Sequence, residues 1–447
     1  MNNKNLPFAV CIFIWVAITL IRLALHQPWY DEAWAWELAR NFQFGSILES
    51  LSYEGHFFVW YFLLLPFAKL NLFYPYSMQL LNWFFCFGAI YILWKYFPFN
   101  NFVKTFITFS FPFLTVYPIL ARCYSVGIFL LFVLTAMYKD RLKYPVIYSI
   151  LIFICANTSL MALIGSILFG YFLIYDLFNA KQFKDLKICL CVALLSIVSF
   201  IIQTAKVSTD GIPIAKMNGL NLDNVLTTFP LFPSFINAFL FIFFILGFCF
   251  IFFKNKRVFG FLAIIYGFLL YFFKNWYLGD YWHNYFFFVY LICACWIFAD
   301  NNLNINLKKW LTILLCAISF LFIFDFRIET RFFNSKSKEV ADYVKEHKNI
   351  HSIFMNSVFL MSMPYLHDDT YDIVLIHSSN RNHDIIFDFD SITNVMEKNK
   401  ENYLYVNTCA PVPNLQKENK ILKFELKKNM KNIYCIYRIS VIENSKS

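Results

Sequence analysis

Asp31 and Glu32 stand side by side in WYDEAWAWELARNF, and Glu37, Glu49 and Glu54 follow before the next apolar run. No other acidic residue precedes Asp140. Carboxylates are expensive in hydrocarbon, so this concentration marks water, an interface or a chemical task. Asp31 and Glu32 lie at the inner end of the segment, flanked by Trp29, Tyr30 and Trp34. In partly dry surroundings a carboxylate keeps a higher pKa and accepts protons better, as general-base chemistry needs. Glu37 and Glu49 read as acids that solvate the loop. Arg122 is a lone cation between two apolar runs. It either snorkels from a helix end or pairs with an anion. His56 and His283 each open an aromatic run, GHFFVWYFLLL and YWHNYFFF. A histidine so placed caps a helix, bonds a ligand or orients an acid.

The elements that must position these residues follow from composition. Of the 447 residues, 60% are hydrophobic and 15% charged, with 58 Phe and 27 Tyr. A soluble domain carries about a quarter charged residues. The apolar residues come in runs of roughly 17 to 20, the length of a membrane-crossing helix. The expected fold is therefore a polytopic α-helical membrane protein in contact with membrane lipids. The net charge of +10 is read as topology, because loop Lys and Arg mark the cytoplasmic side; no nucleic-acid partner is expected. The run 6–25 has no small-residue cleavage site and reads as an uncleaved first span. Ten of the 12 cysteines lie in or beside apolar runs. Cys409 and Cys435 lie in the polar tail and can pair if that tail is extracytoplasmic.

Basic clusters punctuate the runs: Lys95 and Lys104; Lys139, Arg141 and Lys143; Lys181, Lys184 and Lys187; Lys254, Lys256 and Arg257; Lys308 and Lys309. Placing each inside leaves the loops 26–56, 118–122, 155–159, 204–236 and 274–284, and everything after Asp325, outside. The runs 105–118, 123–138, 144–156, 160–178, 188–203, 237–253, 258–273, 285–299 and 310–325 then alternate. Only one net crossing fits the runs 57–73 and 77–94, so either one of them is partial or re-entrant or the charge rule fails there. The sum is about 11 net crossings, with the N-terminus cytoplasmic and the C-terminus extracytoplasmic, in the cell (inner) membrane. In the first outer loop, DEAWAWELARNF and SILESL read as two interfacial helices roofing the acids. From about residue 330, short apolar strands alternate with amphipathic helices, which argues a small α/β domain. The expected division is 1–329, helical and membrane-embedded, and 330–447, soluble and extracytoplasmic. The strands expected there are IHSIFM, YDIVLIHS, YLYVNT, ILKFELKK and NIYCIYRIS, and the helices SKSKEVADYVKEHKN and SITNVMEKNKEN.

The order of features resembles the GT-C fold of membrane glycosyltransferases, among them the protein O-mannosyltransferases and the aminoarabinose transferase that modifies lipid A. In that family one span leads into an outer loop that begins with an Asp-Glu pair and ends in a short His-Pro-Pro or Lys-Pro-Pro motif. Here Asp31-Glu32 and Gly55-His56 occupy those places, with Phe57 and Phe58 where the prolines would be. LARCYSVGIFLL is similar to the Glu-Ala-Arg-x-Tyr entry to a later span; Arg122 and Tyr124 fit, and the Glu does not occur. DYWHNYFFF carries Trp282 where relatives have Arg. The resemblance covers about residues 1–300. It implies inverting transfer of a sugar from a polyprenyl-phosphate donor to a lipid, glycan or protein acceptor on the outer face. Asp31 would be the general base, and Arg122 would stabilise the departing lipid phosphate. Glu32, His56, Tyr124 and His283 would contact substrate. His56 alternatively orients Asp31 or ligates a metal. No cofactor is indicated with certainty; a divalent metal, used by some relatives, is left open.

No Gly-x-Gly and no GxxxxGK occurs among the 12 glycines, which argues against a nucleotide-phosphate cradle. Few charges lie within later spans, which disfavours ion-coupled transport. Alternatives are an oligosaccharide polymerase or ligase, with 204–236 binding acceptor glycan, and a lipid or polysaccharide flippase or scaffold. LHDD, with His367, Asp368 and Asp369, reads as a polar turn rather than a metal site.

Overall fold

The computed structural model describes residues 6–42, 51, 56–204, 246–247, 255–275, 281–300, 305–323, 336–347, 351–366, 373–376, 379–381, 384–386, 402–406, 415–417, 420–430 and 434–443. They are mostly helical. Chain order begins with α1 (Leu6–Leu25), α2 (Tyr30–Arg40), α3 (Phe58–Lys69), α4 (Tyr76–Tyr96) and α5 (Asn101–Thr108). It continues with α6 (Tyr124–Met137), α7 (Pro145–Ala156), α8 (Leu160–Asn179), α9 (Phe183–Thr204), α10 (Lys256–Asn275), α11 (Phe286–Asp300) and α12 (Ile305–Ile323). Among the described residues six stretches are long and apolar enough to cross a membrane. They are Phe8–Leu25, Tyr76–Tyr96, Leu160–Asn179, Phe183–Thr204, Lys256–Phe273 and Trp282–Asp300.

Three expected runs turn out differently. The run 57–73 contains α3, only 12 residues long, or about 18 Å at the helical rise. That is shorter than the roughly 30 Å hydrocarbon layer. Helix α7 is equally short, with Pro145 at its start and the Asn157–Ser159 turn at its end. The run 105–118 is not one helix. After α5 the chain breaks and resumes as a π-helical turn, Pro112–Val116. Pro112 has no N–H to continue a helical ladder, and Ser110 bonds back through Oγ to the Ile107 carbonyl at 2.6 Å. Trp15 Nε1 donates to the Phe113 carbonyl at 2.8 Å, and Arg22 Nη1 to Thr115 Oγ1 at 2.7 Å, so α1 braces the break. The expected run 237–253 lies outside the described residues apart from 246 and 247.

The chain divides into two compact units. One comprises Met1–Leu25, Asn41–Pro66 and Tyr76–Ile328; the other comprises His26–Arg40, Phe67–Pro75 and Glu329–Ser447. In the first unit α4 and α6 pack along one another, and a Cβ at Gly88 would sit 3.0 Å from the Phe129 ring. Tyr290 on α11 hydrogen-bonds the Met161 carbonyl at 2.6 Å, close against Gly165 of α8. Two separate basic clusters converge: Arg141 Nε and Arg257 Nη2 both donate to Asp176, at 2.9 and 2.7 Å. Loops far apart in sequence thus share one end of the bundle.

In the second unit α13 (Ser337–Glu346), β1 (His351–Met355) and α14 (Asn356–Leu366) lead into β2 (Ile373–Ile376), β3 (Ser379–Arg381) and β4 (Asp384–Ile386). Then follow β5 (Asn402–Val406), β6 (Leu415–Lys417), β7 (Lys420–Met430) and β8 (Tyr434–Glu443). The main sheet has order β2-β1-β5-β8-β7-β6. Strand β1 runs parallel to β2 and β5, while β8 is antiparallel to both β5 and β7. Parallel neighbours need a crossover, and α14 supplies it between β1 and β2. That helix was not expected, because NSVFLMSMPYL carries Val, Phe and an internal Pro364. The helix expected at SITNVMEKNKEN and the LHDD turn lie outside the described residues. Cys435, buried on β8, is disulfide-bonded; Cys409 lies outside the described residues.

Candidate functional site

Within the helical unit, His56, Tyr124 and His283 come together. Tyr124, the first residue of α6, sets its hydroxyl 2.7 Å from His283 Nε2 and 3.4 Å from His56 Nε2. Cys123 Sγ lies 3.2 Å from His56 Nδ1. One hydroxyl proton cannot serve both imidazoles, so Tyr124 donates to one ring and accepts from the other. Burial pushes the His56 imidazole down to about 4, which keeps it neutral near pH 7. The set is thus a chain of buried donors and acceptors running from Cys123 through His56 and Tyr124 to His283. Arg122, two residues before Tyr124, is 4% exposed. It sits in a tight turn closed by its own N–H to the Leu120 carbonyl at 2.8 Å.

His56 is held by backbone pairing. It bridges Ser159 in antiparallel fashion, and the Phe57 and Val59 N–H groups donate to the Thr158 and Asn157 carbonyls at 3.2 Å each. The Phe58 N–H donates to Gln203 Oε1 at 2.9 Å. Gln203 Nε2 and Ser199 Oγ in turn donate to Asn157 Oδ1, at 2.9 and 2.6 Å. A helix start leaves backbone donors unsatisfied, and apolar surroundings make that costly. Prolines at these positions would remove such donors; this chain keeps them and supplies acceptors. Gln203, Ser199 and Asn157 were not singled out from the sequence. The available signal was Ser199 and Gln203, spaced i, i+4 on an otherwise apolar helix.

His283 follows Trp282, whose carbonyl accepts from the Tyr117 hydroxyl at 3.0 Å. The Tyr117 carbonyl accepts from Asn82 Nδ2 at 2.8 Å and from Ser125 Oγ at 2.7 Å. These bonds tie α4, Tyr117, the first turn of α6 and Trp282 to one another.

Asp31 and Glu32 belong to the second unit, on the first turn of α2, and they part company. Glu32 is fully buried, with both carboxylate oxygens within 3.1 Å of His26 Nε2 and with Oε2 accepting the Trp29 N–H at 3.0 Å. A glutamate three residues into a helix that takes back the cap N–H is half of a capping box. Burial and these partners give Glu32 a structural task at the start of α2. Asp31 is half-buried, so it is the accessible carboxylate of the pair. Glu37, expected in solvent, is instead 6% exposed and lies 3.2 Å from Arg40. The correction has a geometric cause: Glu32, Ala33, Trp36, Glu37 and Ala39 fall on the packed side of α2. Glu49, Glu54, Gly55 and SILESL lie outside the described residues, apart from Leu51.

Among the described residues no three His, Cys, Asp or Glu side chains gather as a metal-ligand set, and no step below is routed through a metal. Comparison with protein-family models, with curated proteins and with solved structures finds no match to this chain.

Proposed function

We propose that this chain is a membrane glycosyltransferase that takes a sugar from a polyprenyl-phosphate donor and transfers it, with inversion, to an acceptor hydroxyl on the outer face. The observation that carries the proposal is the buried Arg122, two residues from Tyr124, whose hydroxyl joins His56 and His283. A desolvated guanidinium suits a phosphate that leaves with a lipid. Imidazole rings and a phenol suit hydroxyl groups. Asp31 accepts the acceptor's proton while the acceptor oxygen attacks the anomeric carbon. The bond from that carbon to the phosphate oxygen breaks, and the polyprenyl phosphate departs with the electron pair, its charge met by Arg122.

The topology that goes with this function has about 11 crossings, the N-terminus in the cytoplasm and the C-terminal sheet outside the inner membrane. The disulfide at Cys435 supports an oxidising side for that sheet.

The test is Asp31→Asn in the full-length chain, with a prenyl-phosphate sugar as donor. Transfer should fall by about 10²- to 10⁴-fold, with donor binding retained. A flippase would move lipid at the wild-type rate in that variant, and such a result would end the proposal.

A further inference from the structure

Helix α2 has 11 residues, fewer than an isolated helix needs to hold its shape in water. Its position therefore comes from what packs on it. Three segments of one compact unit meet there: His26–Arg40, Phe67–Pro75 and the C-terminal part of the chain. Helix α14 lies along α2, where Ala33, Ala35 and Ala39 are buried and small enough to let a second backbone approach. Tyr365, next to the end of α14, meets Tyr74 edge-on at 4.9 Å between ring centres, and Tyr74 meets Trp36 at 5.0 Å. Trp36, Tyr74 and Tyr365 are all at least nine-tenths buried. Burial, followed by Tyr365, Glu32 and Glu37, raises the Tyr74 hydroxyl well above its ordinary range.

We infer that Tyr365, acting through Tyr74 and Trp36, is a positioning residue for Asp31, so that the C-terminal segment forms part of the catalytic apparatus. The inference rests on the assignment of Asp31 as the base. The aromatic stack fixes the roll of α2 about its axis. That roll decides whether the Asp31 carboxylate is presented or turned aside, because Asp31 and Trp36 share one short rigid helix.

The experiment uses the full-length protein and two readings, amide hydrogen exchange and sugar transfer. Tyr365→Ala should speed exchange across 31–40 at least tenfold while strands 402–406 and 434–443 exchange as before. It should lower kcat at least tenfold with the donor KM within twofold, and Tyr365→Phe, which keeps the ring, should restore both. Unchanged exchange in 31–40, or faster exchange with kcat within twofold of wild type, overturns the inference. If Tyr365→Ala loosens the strands as well, Tyr74→Ala lies outside the sheet and is held to the same outcomes. A wild-type chain that transfers no sugar counts against the transferase proposal, while the exchange reading still judges the clasp.

Discussion

His56 in the helical unit and His26 in the second unit are both buried, and their surroundings give them opposite tasks. His26 lies within 2.9 Å of a buried carboxylate that also caps a helix. Its bonding serves the fold. The bonds found for His56 are to a thiol and a phenol, and burial keeps its ring neutral. A polar group buried in hydrogen bonds with a capping carboxylate is a structural fastening. One buried among neutral donors and acceptors keeps capacity to bond something else. The same contrast separates Glu32 from Asp31, neighbours in sequence with different exposure.

The largest expected effect that would sharpen this contrast is a pH dependence belonging to His56. Its imidazole falls from 6.5 to about 4 on folding, so the unfolded chain binds a proton that the folded chain refuses. That stability is complete above about pH 6.5 and is lost as pH falls toward 4, by up to about 3 kcal/mol. Denaturation of wild type and His56→Gln across that window should show the slope in the first and its absence in the second. Equal slopes would show that His56 does not carry this pH dependence.

Next in size is Arg122→Lys, which keeps the charge and loses the two-pronged fork. Transfer should fall about 10- to 100-fold, that is about 1.4 to 2.7 kcal/mol, as measured by initial rates over a donor series. A rate within twofold of wild type would remove Arg122 from the phosphate. Tyr124→Phe deletes the hydroxyl between two buried imidazoles and should cost about 1 to 3 kcal/mol of stability. A thermal shift no larger than that of a surface substitution would break the hydrogen-bond chain described for the helical unit. The smallest effect is expected for Glu32→Gln. The amide still accepts the Trp29 N–H, so the loss should stay within about 1 kcal/mol and transfer should be nearly normal. A loss of transfer comparable to that of Asp31→Asn would reassign Glu32 from fastening to chemistry.

Periodicity and length made α1, α4, α8 and α9 legible, because a long apolar run has few other ways to satisfy its backbone. The strands around β1, β5, β7 and β8 were legible from short apolar runs between polar turns. Helix α14 was not, since its composition matches strand or loop as well as helix. The broken run at 105–118 was missed because apolar content says nothing of where Pro112 and Ser110 interrupt the hydrogen bonds. Of the site residues, Asp31, Arg122 and the two histidines stood out as polar groups in apolar context. Gln203 and Asn157 did not, because their work is to accept from backbone donors in a distant segment.

The amino-acid sequence by itself determined that this chain is rich in helices of membrane-crossing length, that its tail holds a small sheet, and which polar residues are too costly to be incidental. These are local properties, set by hydropathy, period and charge. Only the tertiary structure decided that Tyr124 joins His56 to His283, that Glu32 turns inward while Asp31 does not, and that α2 is clasped by a helix from the far end of the chain. The first and last depend on which buried donors find acceptors and which rings find each other across long separations, so no short window contains both partners; Glu32 has its partners close by in sequence, and only packing decides that they are buried together.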